Sequence, residues 1–240
     1  MLDVLDTDAQ VQELFVTEEL ADGAIAERAR SSGIPVHLVS SSIAKAISDS
    51  VTPQGIVLVA ASPLRPLQSV AVDTGLVVIL SAVSDPGNVG TLVRTAAAAG
   101  VDAVIMTEGS ADVLNPKTAR ASAAALFSVP LVVDVTLSDA VDHVRGLGCT
   151  VVGADARSDE DLYSTDLTAP IAVVLGNESW GVSDDDASLL DRNLSIPMPG
   201  RVESLNVAVA GSVILFEALR QRREVPGARV SSGGPEEART

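Results

Sequence analysis

Short apolar runs alternating with helical stretches along most of this chain leave few folds open to it. The runs lie at Leu76 to Ala82, Ala103 to Thr107, Leu131 to Val135, Thr150 to Ala154, Ile171 to Leu175 and Leu194 to Ile196. Helical stretches fall between them near Val89 to Ala99, Pro116 to Phe127, Ser138 to Leu147 and Asp184 to Asp191, and a last one runs from Ser204 to about Arg223. Strands joined by helices in this way imply an α/β fold, a mostly parallel sheet with helices on both faces. Strands buried on both faces must be apolar throughout. The composition supplies them, with 47% apolar but only 2% aromatic residues, so the core is built from Val, Ile, Leu and Ala.

Upstream, a smaller α/β pattern reads as a strand near Glu13 to Val16, a helix Glu18 to Ser31, a strand Val36 to Val39, a helix Ser41 to Ser50 and a strand Ile56 to Ala60. Gly33-Ile34-Pro35 stops the first helix, since glycine past a helix end followed by proline cannot continue it. Two prolines and no apolar periodicity in Ser62-Pro63-Leu64-Arg65-Pro66-Leu67 read as a linker. The expected organisation is a small domain over 1–61, a linker 62–72, a larger domain 73–224 and a disordered tail 225–240.

Composition removes several classes of function. One cysteine, Cys149, excludes an internal disulfide and fits a cytoplasmic protein. The N-terminus lacks a basic segment and no apolar run approaches the roughly 18 residues of a spanning helix, so no signal peptide and no membrane are expected. There is no zinc spacing and no Gly-x-Gly-x-x-Gly after a first strand, which argues against a resident metal and a dinucleotide fold. A net charge of −16 by itself argues against nucleic acid. Against that, acidic residues concentrate between Asp155 and Asp191, while Arg94, Arg120, Arg201, Arg220, Arg222 and Arg223 cluster near the stretches described next.

Three junctions rich in glycine or proline stand out. Asp85-Pro86-Gly87-Asn88-Val89-Gly90 follows the first large-domain run, Leu175-Gly176-Asn177-Glu178-Ser179-Trp180-Gly181 follows another, and Ile196-Pro197-Met198-Pro199-Gly200-Arg201-Val202-Glu203-Ser204-Leu205-Asn206 leads into the last helix. Open α/β sheets bind ligands beyond the carboxyl ends of their strands, where these junctions fall. Ser204 and Asn206 stand at a helix start, where side-chain oxygens cap free N–H groups. Arg94 lies six residues after Asn88, close enough for both to border one pocket. Taken singly, each has a plain reading as a turn, a cap or a solvated charge.

Taken together and in this order, the junctions resemble the three signature motifs of the SpoU/TrmH family of RNA ribose methyltransferases, in the SPOUT superfamily. The resemblance covers about residues 76–221, with a weaker likeness to the family's accessory RNA-binding domain over 11–60, including Gln54-Gly55-Ile56-Val57. Asn115-Pro116-Lys117, Arg120-Ala121-Ser122 and Leu126-Phe127-Ser128-Val129-Pro130 resemble the branch that modifies ribosomal RNA. The resemblance implies a deep trefoil knot and S-adenosylmethionine held by backbone groups of Gly176, Ile196 and Leu205. It implies methyl transfer to a ribose 2′-hydroxyl with Asn88, Arg94, Glu178, Ser204 and Asn206 at the active site. RNA contacts fall to Lys117 and Arg120, the assembly is a homodimer, and no metal is required. Family members generally begin with a further basic segment, so the accessory domain is expected to be shortened. Transfer RNA is the alternative substrate, and a non-catalytic RNA- or ribosome-binding protein keeping the fold is the alternative class. For Arg94, a permanently charged guanidinium suits charge placement better than proton abstraction.

Overall fold

The computed structural model describes residues 2–7, 9–48, 53–183 and 185–224. The tail expected over 225–240 lies outside the described residues, as do positions 49–50 of the expected helix Ser41 to Ser50. The chain divides into two compact units. One runs to Leu64 and takes in Ala124–Ser128; the other begins at Arg65 and holds the remainder.

The first unit contains α1 (Leu2–Leu5), β1 (Val11–Thr17), α2 (Ala24–Ser31), β2 (Val36–Val39), α3 (Ser41–Ala46) and β3 (Ile56–Ala60). Its sheet has the order β2-β1-β3, with β1 parallel to β2 and antiparallel to β3. Leu14 and Val16 of β1 are fully buried with Ala26 and Ala29 of α2, because alternate strand residues face the apolar stripe of that helix. The expected helix from Glu18 is broken: a 3₁₀ turn occupies Glu18–Leu20, and α2 starts only after Gly23, in extended conformation, caps it.

The second unit comprises β4 (Leu76–Leu80), α4 (Pro86–Ala99), β5 (Ala103–Thr107), α5 (Pro116–Ser122), β6 (Leu131–Val135), α6 (Leu137–Gly146), β7 (Thr150–Ala154), β8 (Ile171–Leu175), β9 (Arg192–Leu194) and α7 (Val207–Glu224). All six strands are parallel, in the order β6-β5-β4-β8-β7-β9. β4, β5 and β8 are buried along their whole length, as apolar runs require, and Thr107, the one polar residue in them, accepts the Ala82 N–H with its hydroxyl. On one face Val77, Ile79, Ile105 and Val174 pack with Leu137, Val141 and Val144 of α6. α7 packs against α4. It comes close because Gly211 has no Cβ, which would stand 2.5 Å from Leu92 and 2.6 Å from Leu175. The last turn of α7 is fixed by Arg222, whose buried guanidinium donates to the carbonyls of Leu167, Thr74, Gly75 and Ala169 at 2.8–3.0 Å.

Three further expectations are corrected. The described residues 185–191 of the expected helix Asp184 to Asp191 hold no α-helix; a 3₁₀ turn at Ala187–Leu189 stands there. Asp191 accepts from the Val151 N–H at 2.7 Å and from Arg145 at 2.6 Å, which pulls the chain into register beside β7. β9 accordingly covers Arg192–Leu194 rather than reaching Ile196. The stretch 62–72 is not a free linker throughout: Leu67 and Val70 are buried in the core beneath α6, and the Arg65 N–H bonds Leu131 at 2.8 Å.

Candidate active site

β4 and β8 are hydrogen-bonded neighbours at the centre of the sheet, so the loops leaving their carboxyl ends lie side by side. After β4, Asp85 caps α4 by accepting from the Asn88 N–H at 2.9 Å, and Pro86 fills the first helical position, where a missing N–H costs nothing. After β8, the chain turns back at once: the Asn177 N–H bonds the Gly181 carbonyl at 2.9 Å and the Gly181 N–H bonds the Asn177 carbonyl at 2.8 Å. Gly181 adopts φ +72°, a left-handed conformation suited to glycine.

Side chains then tie the loops together. The Glu178 carboxylate accepts from the Asn88 amide at 2.9 Å, from the Asp85 N–H at 3.2 Å, and from the Ser84 N–H and hydroxyl at 3.3 and 3.2 Å. The Asn88 oxygen accepts from the Asn206 amide at 3.0 Å. Asn206 caps α7, its own oxygen accepting from the Ala208 and Val209 N–H groups at 2.9 and 3.3 Å. That cap fixes the orientation of the whole series: with the Asn206 oxygen spent on the helix, only its NH₂ is left for Asn88, whose NH₂ in turn faces Glu178. Three loops far apart in sequence are joined by one directed chain of hydrogen bonds.

Burial pushes the Glu178 carboxyl up, but the hydrogen bonds from Asn88, Asp85 and Ser84 outweigh it and hold the group below the ordinary glutamate range. Asp85 is also held low, chiefly by the Asn88 N–H and further by Lys117, whose Nζ lies 3.4 Å from its carboxylate. Lys117 reaches it because α5 sits tightly on α4. A Cβ on Gly90 would stand 2.5 Å from that of Ala121 and 2.6 Å from the Thr118 carbonyl.

Not every expected residue joins this chain. Ser204 is exposed, makes no hydrogen bond among the described residues, and precedes the helix, whose cap is Asn206. Arg94 is exposed on α4 without a partner among the described residues. Helical geometry places it about 9 Å along the axis from Asn88 and roughly 120° around it, so the two do not share a face. Arg120, in the last turn of α5, is also exposed and unpaired among the described residues.

Gly176, Ile196 and Leu205 behave alike in one respect. None forms a backbone hydrogen bond among the described residues, although Gly176 is buried and the other two are half-buried. Buried main-chain groups are nearly always paired, so Gly176 leaves a free backbone edge just past the end of β8. The absence of a Cβ at Gly176 is required by the protein itself. A Cβ there would collide with the backbone of Gly181 and Val182 in the returning hairpin.

Sequence reasoning did not single out Ser84, Asp85 or Asn177. Asp85-Pro86 carried a readable signal, an acidic cap followed by proline. Asn177 carried none. Buried in the hairpin, its amide donates to the Ala82 carbonyl at 2.8 Å while its oxygen accepts from the Ser179 N–H at 2.9 Å, so it braces the β8 hairpin against the loop after β4. Ala82 has φ +52°, and the Thr107 hydroxyl accepts its N–H at 3.0 Å. Among the described residues, no cluster of His, Cys, Asp or Glu can hold a metal ion, and no helix is long and apolar enough to cross a membrane.

The family model of the SpoU rRNA methylases matches residues 75–216, and that of the RNA 2′-O ribose methyltransferase substrate-binding domain matches residues 2–66. The chain is 36% identical over 205 residues to the 23S rRNA (guanosine-2′-O-)-methyltransferase RlmB of Xanthomonas axonopodis pv. citri, covering 82% of each protein. It is 35% identical over 209 residues to the 23S rRNA (guanosine(2553)-2′-O)-methyltransferase RlmP of Bacillus subtilis, covering 86% of this chain and 79% of that one. Among solved structures, the SpoU methyltransferase AviRb of Streptomyces viridochromogenes in complex with AdoMet superposes with a TM-score of 0.80 at 29% identity, over 93% of this chain and 87% of the other. The sheet, the paired loops and these matches agree: the chain belongs to the SpoU rRNA methylase family.

Proposed function

We propose that this protein methylates a ribose 2′-hydroxyl in ribosomal RNA, using S-adenosylmethionine. The observation that carries the reading is the Asn206, Asn88, Glu178 chain, which gathers three loops at the carboxyl end of the sheet. Relatives matching most of the chain are named as 23S rRNA enzymes, which favours ribosomal over transfer RNA. S-adenosylmethionine supplies an electrophilic methyl on its sulfonium. The free main-chain edges at Gly176, Ile196 and Leu205 would hold it, while the Ile196 and Leu205 side chains keep water from the slot.

The ribose hydroxyl must be aligned, lose its proton and have its developing negative charge stabilised. Glu178 is poorly suited to take that proton, because its acceptor capacity is spent on Ser84, Asp85 and Asn88 and its basicity is lowered. Its role is to set the loops, and water receives the proton. Arg94 supplies positive charge beside the reacting ribose, with Ser204 aligning the hydroxyl, while Lys117 and Arg120 hold backbone phosphates. Residues 1–61 carry the RNA to the domain over 73–224, and the work is done in the cytoplasm. Two copies pair through α7, where Val209 and Phe216, seven residues apart on one face, are each 49% exposed. Light scattering tests the pairing: an active monomer at micromolar concentration would refute it.

Arg94→Ala tests the assignment of roles. It should bind S-adenosylmethionine like the wild type in calorimetry yet lose transfer at least 100-fold, and Arg94→Lys should recover a small rate because charge survives without the planar fork. Absence of binding by the folded wild-type protein would contradict the function. Full activity in Arg94→Ala would contradict the role of the arginine.

A further inference from the structure

We infer that Trp180 is a stacking platform for a nucleobase of the substrate RNA beside the ribose being methylated, an inference that rests on the function proposed above. The chain has a single tryptophan and only three phenylalanines and one tyrosine, so aromatic surface is scarce. Trp180 is nevertheless 64% exposed and makes no ring contact among the described residues. Scattered exposed apolar side chains need no explanation by themselves. Position and rigidity distinguish this one. It lies in the hairpin closed by the two backbone bonds between Asn177 and Gly181, and that hairpin is braced by the Asn177 amide on Ala82 and by the Asn177 oxygen on Ser179. Two residues before it, Glu178 is bonded to Ser84, Asp85 and Asn88, which fixes the hairpin at the site. An indole held there has only two side-chain torsions to freeze on binding, and every base offers it a π face.

Stacking also answers a difficulty of charge. On a protein of net charge −16, phosphate contacts by a few arginines weaken as salt rises, whereas a stacked base is not screened. Stacking losses of the usual size correspond to a roughly 5- to 150-fold rise in the KM for RNA. The full chain with Trp180→Ala should show that rise, with kcat at saturating RNA and the Kd for S-adenosylmethionine within about twofold of wild type. The ratio of the two KM values should persist at high salt, and Trp180→Phe should recover most of the affinity.

Because the chain has one tryptophan, its fluorescence reports directly. Ribosomal RNA should quench it, S-adenosylmethionine alone should not, and acrylamide should reach it freely in the RNA-free protein. An unchanged KM in Trp180→Ala, quenching by S-adenosylmethionine alone, or an indole already shielded from acrylamide by a second copy would each overturn the inference. If no ribose is methylated by wild type or variant, the proposed function fails separately, and the fluorescence response to RNA still decides whether Trp180 stacks on a base.

Discussion

At Glu178 one carboxylate accepts from Ser84, Asp85 and Asn88 at once, and Asn88 passes the constraint on to the cap of α7 at Asn206. The fourfold acceptance explains why the group remains ionised in a partly desolvated place. It also sets the response to pH. Because the folded pKa lies below the ordinary value, the stabilising contribution is complete above the ordinary glutamate range and is lost only as pH falls through the lowered folded value. Methyl transfer should therefore hold steady down to the ordinary glutamate range and fall below it. Glu178→Gln should lack that acid limb and be slower at neutral pH. The carboxylate is exposed, so solvent screening trims the loss of its hydrogen bonds to about 1 kcal/mol, a fall of roughly fivefold in kcat. Initial rates of the two proteins across the acid range check this; a limb that persisted in the glutamine variant would place its origin elsewhere.

The hairpin after β8 is the element on which the site turns, and Gly176 is its pivot. Gly176→Val drives a Cβ into the Gly181 and Val182 backbone, so the hairpin must open and move Asn177, Glu178 and Trp180 together. Overpacking of this kind costs about 1–3 kcal/mol, so the variant should remain folded by circular dichroism with a lower Tm and fail to bind S-adenosylmethionine. Binding with wild-type affinity would show that the hairpin does not shape the slot. The strands themselves were legible in the sequence. β5, β6, β7 and β8 begin and end where their apolar runs do; β5 and β8 are buried throughout, whereas β6 carries the exposed Asp134 and β7 opens on the exposed Thr150. The acid-rich stretch 184–191 misled, since the commitment of Asp191 to Val151 and Arg145 is tertiary and leaves no local trace. Asn88, Glu178 and Asn206, which hydrogen bonds link across three loops, each stand in one of the motifs. The bracing by Asn177 depends on where the β4 loop passes, which no spacing encodes.

At the scale of the whole molecule, a net charge of −16 must be reconciled with RNA. The cations proposed to meet the RNA backbone are few: Arg94, on a phosphate next to the reacting ribose, and Arg120 are unpaired among the described residues, and Lys117 shares its charge with Asp85. With about three phosphate contacts, log affinity should fall against log salt with a slope of about −2. Binding measured from 50 to 300 mM salt would contradict this placement if the slope were three times steeper. Val209 and Phe216 on α7, and Trp180 at the hairpin, are among the large apolar side chains left exposed, and the proposed pairing and base contact rest on them. The most direct measurement is transfer of labelled methyl from S-adenosylmethionine to ribosomal RNA, followed by digestion to nucleosides. The account predicts label in a single 2′-O-methylated nucleoside, its phosphodiester resistant to alkali. Label on a base, or none from a folded protein that binds S-adenosylmethionine, would contradict it.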